Sequence, residues 1–284
     1  MSENVASLYP KRSLQKLLRR TGGYQRLKAS WVYTAYWSVC DRRVIDDRRR
    51  EIEFYRNVLH GFREGDLIFD VGANVGYKTD IFLRLGAKVV SVEPDETSQQ
   101  ILRERFLDHR LKRKPLVITP MAVGERNSVE RMWIDEPGSA KNTLSRKWAE
   151  TLRADDKRFG HRLSFGRWKD VETTTIERLI TTHGLPFFVK IDVEGYELAV
   201  LRGIQRPVPY LSFEANLPEF RSEALECVQV LDHLASDGMF NYTPDCRHGL
   251  VLERWCGTQD FRAVLDSCRD ECIEVFWTTP ISKG

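Results

Sequence analysis

The sequence predicts an α/β fold: a mostly parallel sheet with helices on both faces, preceded by a helical extension. Three observations point there. Short apolar runs of strand length recur between residues 66 and 214, stretches with apolar residues at helical spacing separate them, and glycines or capping residues stand at the joints. Strands that alternate with helices build βαβ units, which set strands parallel and bury both faces of the sheet.

The elements follow in order. Residues 1–60 read as a helical lead, and Asp66 to Asp70 as a first strand whose apolar middle suits burial on both sides. The turn Val71 to Gly76 opens a helix that carries Ile81, Phe82 and Leu85 and stops at Gly86. Lys88 to Glu93 makes the second strand, Asp95 to Leu107 a helix, Leu116 to Thr119 the third strand and Val129 to Ile134 an additional one. Thr174, followed three residues later by Glu177, has the spacing of a capping box for a helix over Ile176 to Thr182. Phe187 to Asp192 is the fourth strand, Glu197 to Leu201 a helix and Tyr210 to Glu214 the fifth strand. Leu225, Val228, Leu231 and Leu234 mark a helix over Glu223 to Ser236. Asp135 to Asp170 is charged and lacks apolar periodicity, so it reads as a lid over a pocket or as a disordered insertion.

The 284 residues suffice for one large domain, taken as 61–284, beside the extension. Hydrophobic residues at 42% and charged residues at 30% exclude a disordered chain. The net charge of +3 is uneven: residues 1–60 hold 13 Lys and Arg against 6 Asp and Glu, a balance of +7 that leaves −4 for the rest. The basic lead is a solvated helical face or a contact for an anionic surface, and nucleic acid is not expected as a partner. The longest lipid-like run, Trp31 to Cys40, is ten residues and holds Thr34 and Ser38, too short to span a bilayer. Six cysteines without CxxC pairs, and no apolar leader, fit a reducing cytoplasmic setting. Cys268 and Cys272 stand four apart in an expected helix, with Cys246 and Cys256 upstream; this is the nearest approach to a zinc pattern, and no metal ligand is assigned.

Chemistry gathers at the strand ends. Asp70 precedes the turn Gly72-Ala73-Asn74-Val75-Gly76, whose glycines let backbone approach a ligand closely. A carboxylate at that tip needs a partner, which a cationic amino group supplies. Glu93, 17 residues after Gly76 at the end of the second strand, suits the two hydroxyls of a ribose. The turn lacks the third glycine of the dinucleotide fingerprint, and Asp70 would repel a pyrophosphate, so a nicotinamide cofactor is disfavoured. In the fourth strand alternation puts Lys190 and Asp192 on one face, and Lys190 needs a carboxylate from Asp192, Glu214 or Glu93. The pair is a structural ion pair, or Asp192 orients and deprotonates an acceptor hydroxyl with Lys190 tuning its charge. Asp70, Glu93, Asp192 and Glu214 are all expected at strand ends, where open α/β sheets bind ligands.

Two motifs, Phe69-Asp-Val-Gly-Ala-Asn-Val-Gly-Tyr77 and Val189-Lys-Ile-Asp-Val-Glu-Gly-Tyr-Glu197 with Leu201-Arg-Gly203 behind it, resemble the FkbM methyltransferases. Val92-Glu-Pro-Asp95, Ala122-Val-Gly124 and Asn142-Thr143 resemble family segments in the same order, over residues 60–245 in all. The resemblance implies a Rossmann-like class I methyltransferase fold of seven strands, its last two an antiparallel hairpin ending near Ile273 to Thr278, and S-adenosylmethionine as cofactor. It implies that Asp70, Gly72, Asn74 and Gly76, with Ala73 among them, hold the methionine part. It sets Glu93, followed by Pro94, at the ribose and Ala122 and Val123 at the adenine. Lys78 departs from the second aromatic that relatives often carry after Tyr77, and the first 60 residues lie outside the family core.

The activity so implied is O-methylation of a hydroxyl on a small molecule, sugar or glycan. A hydroxyl is a poor nucleophile until it loses its proton; Asp192 is the first candidate base, with Lys190 and Glu194 next, although Glu194 also suits a helix cap. A divalent ion on Asp192 and a neighbouring acid would serve the same end, but no second ligand stands out. The alternatives are a nicotinamide oxidoreductase and a cofactor-binding protein without activity. No motif specifies the acceptor or the number of subunits.

Overall fold

The protein is described from a computed structural model over residues 42–112, 115–154 and 163–280. The expectations for residues 1–41, the apolar run 31–40 and Cys40 among them, lie outside these.

In chain order the elements are α1 (Arg42–Val58), β1 (Leu67–Val71), α2 (Tyr77–Arg84), β2 (Lys88–Val92), α3 (Glu96–Arg105), α4 (Leu107–Leu111), β3 (Leu116–Thr119), β4 (Ala122–Val123), β5 (Ser128–Ile134) and α5 (Arg146–Ala154). There follow β6 (Arg167–Thr174), α6 (Ile176–His183), β7 (Phe188–Ile191), α7 (Glu197–Arg202), β8 (Tyr210–Asn216), α8 (Leu217–Leu234), β9 (Met239–Thr243), α9 (Thr258–Ser267) and β10 (Cys272–Thr278).

Seven strands form one sheet in the order β3-β2-β1-β7-β8-β10-β9. β3, β2, β1, β7 and β8 run parallel, and β10 lies between β8 and β9, antiparallel to both. The last two strands therefore pair as expected, but α9 connects them in place of a hairpin turn. This is the class I methyltransferase arrangement, with the strand order reversing between β1 and β7. A second sheet, β4-β6-β5, stands beside it. Its middle strand β6 escaped the sequence reading because its first four residues, Arg167 to Asp170, are exposed and polar or aromatic.

The strands are buried because alternate residues meet a different layer of helices. Phe69, Val71, Val189, Ile191, Leu211 and Phe213 pack with α6, α7 and α8 in one core. Ile68, Val89, Phe188, Tyr210 and Phe276 face the other side, where α1 and α2 pack. Phe54, Tyr55, Val58 and Leu59 of α1 and its following turn are buried there, and the Tyr55 ring meets Phe82 at 5.1 Å and Phe188 at 5.8 Å. Residues Phe54 to Leu59, ahead of the boundary expected at residue 60, share this core with the sheet. Glu51 of α1 pairs with Lys78, which explains a cation where an aromatic was expected.

Asp80, buried in α2, ties three helices. Its Oδ2 lies 3.0 Å from Arg84, 3.5 Å from Arg48 of α1 and 3.9 Å from Arg105 of α3. The segment read as a lid or insertion holds α5, whose Trp148, Ala149 and Leu152 form a small core with Leu163, Phe165 and Phe220. Helix α6 is capped one residue later than predicted, by Thr175, whose side chain accepts the Arg178 N–H at 3.0 Å. Cys268 ends α9 and Cys272 begins β10, so the helix face expected to pair their thiols does not exist; their Sγ atoms turn to Asp270 and Glu214. Among the described residues no helix is long and apolar enough to cross a membrane.

Candidate active site

A crevice opens at the carboxyl ends of β1, β2 and β7, beside the point where the strand order reverses. The turn after β1 forms one wall. Gly72 has φ +80°, and a Cβ on it would lie 1.7 Å from the Asp192 carbonyl oxygen, so only glycine lets this turn press against the chain leaving β7. Asn74, also left-handed at φ 46°, donates its backbone N–H to Glu93 Oε2 at 2.8 Å. The Asp95 N–H reaches Glu93 Oε1 at the same distance. Burial pushes the Glu93 carboxyl up to about 7 despite these two donors.

Gly72, Asn74, Glu93 and Pro94 line the crevice, with Ala122, Val123 and the two methionines Met121 and Met132 as an apolar patch. Asp192, Val193, Glu194 and Tyr196 form the opposite side. Over the top runs the segment after β5, which contributes Ser139, Ala140, Asn142 and Leu144. Asn142 Nδ2 donates to Asp95 Oδ2 at 3.2 Å, and Thr143 Oγ1 donates to the Glu194 carbonyl at 2.6 Å, so this strap is tied to both walls.

Four candidates stand elsewhere. Asp70 is fully enclosed and does not line the crevice. Strand register sets Ser91, Asp70, Lys190 and Ser212 side by side across β2, β1, β7 and β8, on the face covered by α1 and α2. Thr79 Oγ1 donates to Asp70 Oδ2 at 2.6 Å, while Asp70 Oδ1 has no hydrogen-bond partner among the described residues. Burial raises the Asp70 carboxyl against the pull of Lys190. Asp70 thus stands behind the crevice wall, beside Lys190 in the strand register. Ala73 is buried with Leu102 and Phe106, and a Cβ on Gly76 would press into the same two side chains. Lys190 is buried below the site.

The Lys190 Nζ lies 2.7 Å from Asp192 Oδ2. Burial disfavours the ammonium, yet Asp192, Glu274 and Asp70 outweigh it and hold Lys190 above the usual lysine range. Burial would also raise Asp192, but the Lys190 ammonium prevails and holds that carboxyl below its ordinary value. Glu194 behaves oppositely: burial raises it, against the Lys141 ammonium 3.2 Å from its Oε1. Its Oε2 accepts the Trp148 Nε1–H at 3.0 Å. Glu194 is not the helix cap; Glu197 Oε1 accepts the N–H groups of Val193 and Gly195 at 3.0 and 3.2 Å. Burial drives Glu197 up to about 8.

Glu214, expected at a strand end, lies within β8, and one oxygen each of Asp192, Glu194 and Glu214 fall within 4.8 Å of one another. This is the one grouping with cation-ligand spacing among the described residues, although Lys190 and Lys141 already neutralise two of its members. Sequence reasoning missed Lys141, Trp148 and the methionines. Asn142-Thr143 was the available signal, since it marks where the strap meets both walls.

A family model described as the methyltransferase FkbM domain matches residues 70–236. The chain belongs to the FkbM methyltransferase family. A curated relative, the hexuronic acid methyltransferase AglP of Haloferax volcanii, is 26% identical over 171 residues, 60% of this chain and 62% of that one. The match thus spans less than two thirds of the relative's length. Solved structures are loosely similar. A S-adenosylmethionine-dependent O-methyltransferase of Thermotoga maritima has a TM-score of 0.38 at 14% identity, covering 83% of this chain and 66% of that one. A precorrin-6y C5,15-methyltransferase of Geobacter metallireducens has 0.38 at 8%, covering 82% and 86%.

The FkbM cofactor is S-adenosylmethionine, and the donor set suits it. Each Glu93 oxygen already holds one N–H and keeps a lone pair for a ribose hydroxyl. The apolar patch around Ala122 and Val123 suits a purine, and the Asp192 carboxylate across the crevice suits a cationic sulfonium.

Proposed function

We propose that this FkbM protein transfers the methyl group of S-adenosylmethionine to a neutral hydroxyl of a sugar or glycan. The observation that carries the reading is the juxtaposition of Glu93, at the ribose end of the crevice, with Asp192 and Glu194 across from it. The sugar assignment draws on AglP, named for a hexuronic acid. Three clustered carboxylates against Lys141 and Lys190 favour a neutral hydroxyl over an anionic acceptor.

The bound cofactor supplies an already activated methyl group, so the chain's work is alignment, exclusion of water and removal of one proton. Holding the acceptor oxygen in line is worth up to ~7–11 kcal/mol. Asp192, kept ionised by Lys190, is a fixed hydrogen-bond acceptor that orients the hydroxyl. Glu194, whose carboxyl is raised by burial, is the better matched base. The O–H proton passes to Glu194 as the new O–CH3 bond forms and the carbon–sulfur bond breaks, leaving a methyl ether and S-adenosylhomocysteine.

Calorimetry with S-adenosylhomocysteine and with NADH separates this reading from an oxidoreductase; binding of NADH alone overturns it. Labelled methyl transfer into a glycan-containing cell extract then separates an enzyme from an inactive binder. Asp192→Asn is expected to lower that transfer on the order of 100-fold while S-adenosylhomocysteine still binds.

A further inference from the structure

The strap between β5 and α5 does more than cover the crevice. Together with the first turn of α5 it supplies three contacts to a single residue, Glu194: Thr143 to its carbonyl, Lys141 to Oε1 and Trp148 to Oε2. Glu194 pays for this attention in its backbone, with φ at +54°, a left-handed conformation that a glutamate adopts only when its surroundings impose it. The next residue shows the same constraint: a Cβ on Gly195 would come within 3.0 Å of Trp148 and of Phe220. Trp148 is itself anchored, buried in the small core of α5 and edge-on to Phe220 at 5.3 Å. A rigid indole and a lysine thus grip the two carboxylate oxygens of one strained side chain.

We propose that Lys141 and Trp148 are positioning residues for methyl transfer, fixing the Glu194 carboxylate so that its remaining lone pairs meet the acceptor hydroxyl in the crevice. The proposal rests on the function given above. It assigns the strap the assembly of the proton-accepting end of the site, through a route separate from cofactor binding. Trp148 does not line the crevice, and Glu93 on the cofactor side touches neither Lys141 nor Trp148. Acids near Lys141 are Glu194, Glu214 and Asp192, so the lysine faces the acceptor end and not the ribose end.

The separation gives the test. Labelled methyl transfer into the glycan-containing extract and calorimetry with S-adenosylhomocysteine are measured on the full chain. Lys141→Met is expected to lower kcat about 10- to 100-fold with S-adenosylhomocysteine affinity unchanged, and Lys141→Arg to restore most of it. Trp148→Phe removes the indole N–H together with part of the buried ring, so it should lower kcat with S-adenosylhomocysteine affinity unchanged, alongside a modest fall in melting temperature. Glu194→Gln should lose about 100-fold or more. Full activity in Glu194→Gln overturns the proposal, as does a parallel loss of cofactor affinity, kcat and melting temperature in Lys141→Met and Trp148→Phe. Parent protein that binds S-adenosylhomocysteine yet methylates nothing overturns the enzyme reading itself, a distinguishable failure.

Discussion

Glu93 shows how one buried carboxylate makes binding depend on pH. Ionised, it offers acceptor lone pairs on both oxygens; protonation turns one of those positions into a donor, and burial sets the midpoint at about 7. S-adenosylhomocysteine affinity is therefore expected to be constant above that value and to fall about tenfold per unit below it, by calorimetry between pH 5.5 and 8.5. Glu93→Gln should flatten the profile. Asp70 leads to the opposite kind of expectation. It lies in the enclosed row with Lys190, so Asp70→Ala should cost about 3–5 kcal/mol in urea denaturation, more than it costs in cofactor affinity. Alternation separates Ile68 and Asp70 from Phe69 and Val71 within β1, but the pairing of Asp70 with Lys190 comes from the register of β1 and β7. Which face meets the crevice is decided by the helices that cover each side, and that is not written in the strand itself.

At the scale of elements, the five parallel strands of the main sheet were legible as short apolar runs, most of them buried on both sides, as in Leu67–Val71 and Phe188–Ile191, whereas β10 came from the family resemblance and β9 was not placed. β6 and α5 were not, since the β6 strand shows four exposed residues in a row and α5 buries only Trp148, Ala149 and Leu152 among charges. The crevice was half legible: Gly72, Asn74, Glu93 and Asp192 stand at joints that any open sheet exposes. The strap residues reach the site by tertiary contact alone, which spacing does not encode. Helix α1 gives the clearest packing expectation. Its Tyr55 is wholly buried between Phe82 and Phe188, so Tyr55→Ala should cost about 3–5 kcal/mol. Deleting residues 1–60 should abolish cooperative unfolding in a calorimeter, where a separable extension would leave it intact.

For the molecule as a whole, the buried Glu197 sets a stability profile in pH. Glu197 moves from 4.5 to about 8 on folding, so the folded state holds a proton that the unfolded chain releases. That contribution is complete below pH 4.5 and disappears as pH rises through about 8. The stability of the parent relative to Glu197→Gln should thus decline by roughly 1.4 kcal/mol per unit across that window, measured by urea denaturation at several pH values.

Asp80 extends the same logic to dissolved ions. One negative charge shared by Arg48, Arg84 and Arg105 leaves the junction of three helices with a surplus of two positive charges. Added electrolyte screens the guanidinium groups from one another more than it weakens their attraction to the carboxylate. A divalent anion such as sulfate gathers around a positive surplus more strongly than chloride does. Thermal denaturation in sodium sulfate should therefore occur several degrees above that in sodium chloride of equal ionic strength, and Arg84→Gln should narrow the gap.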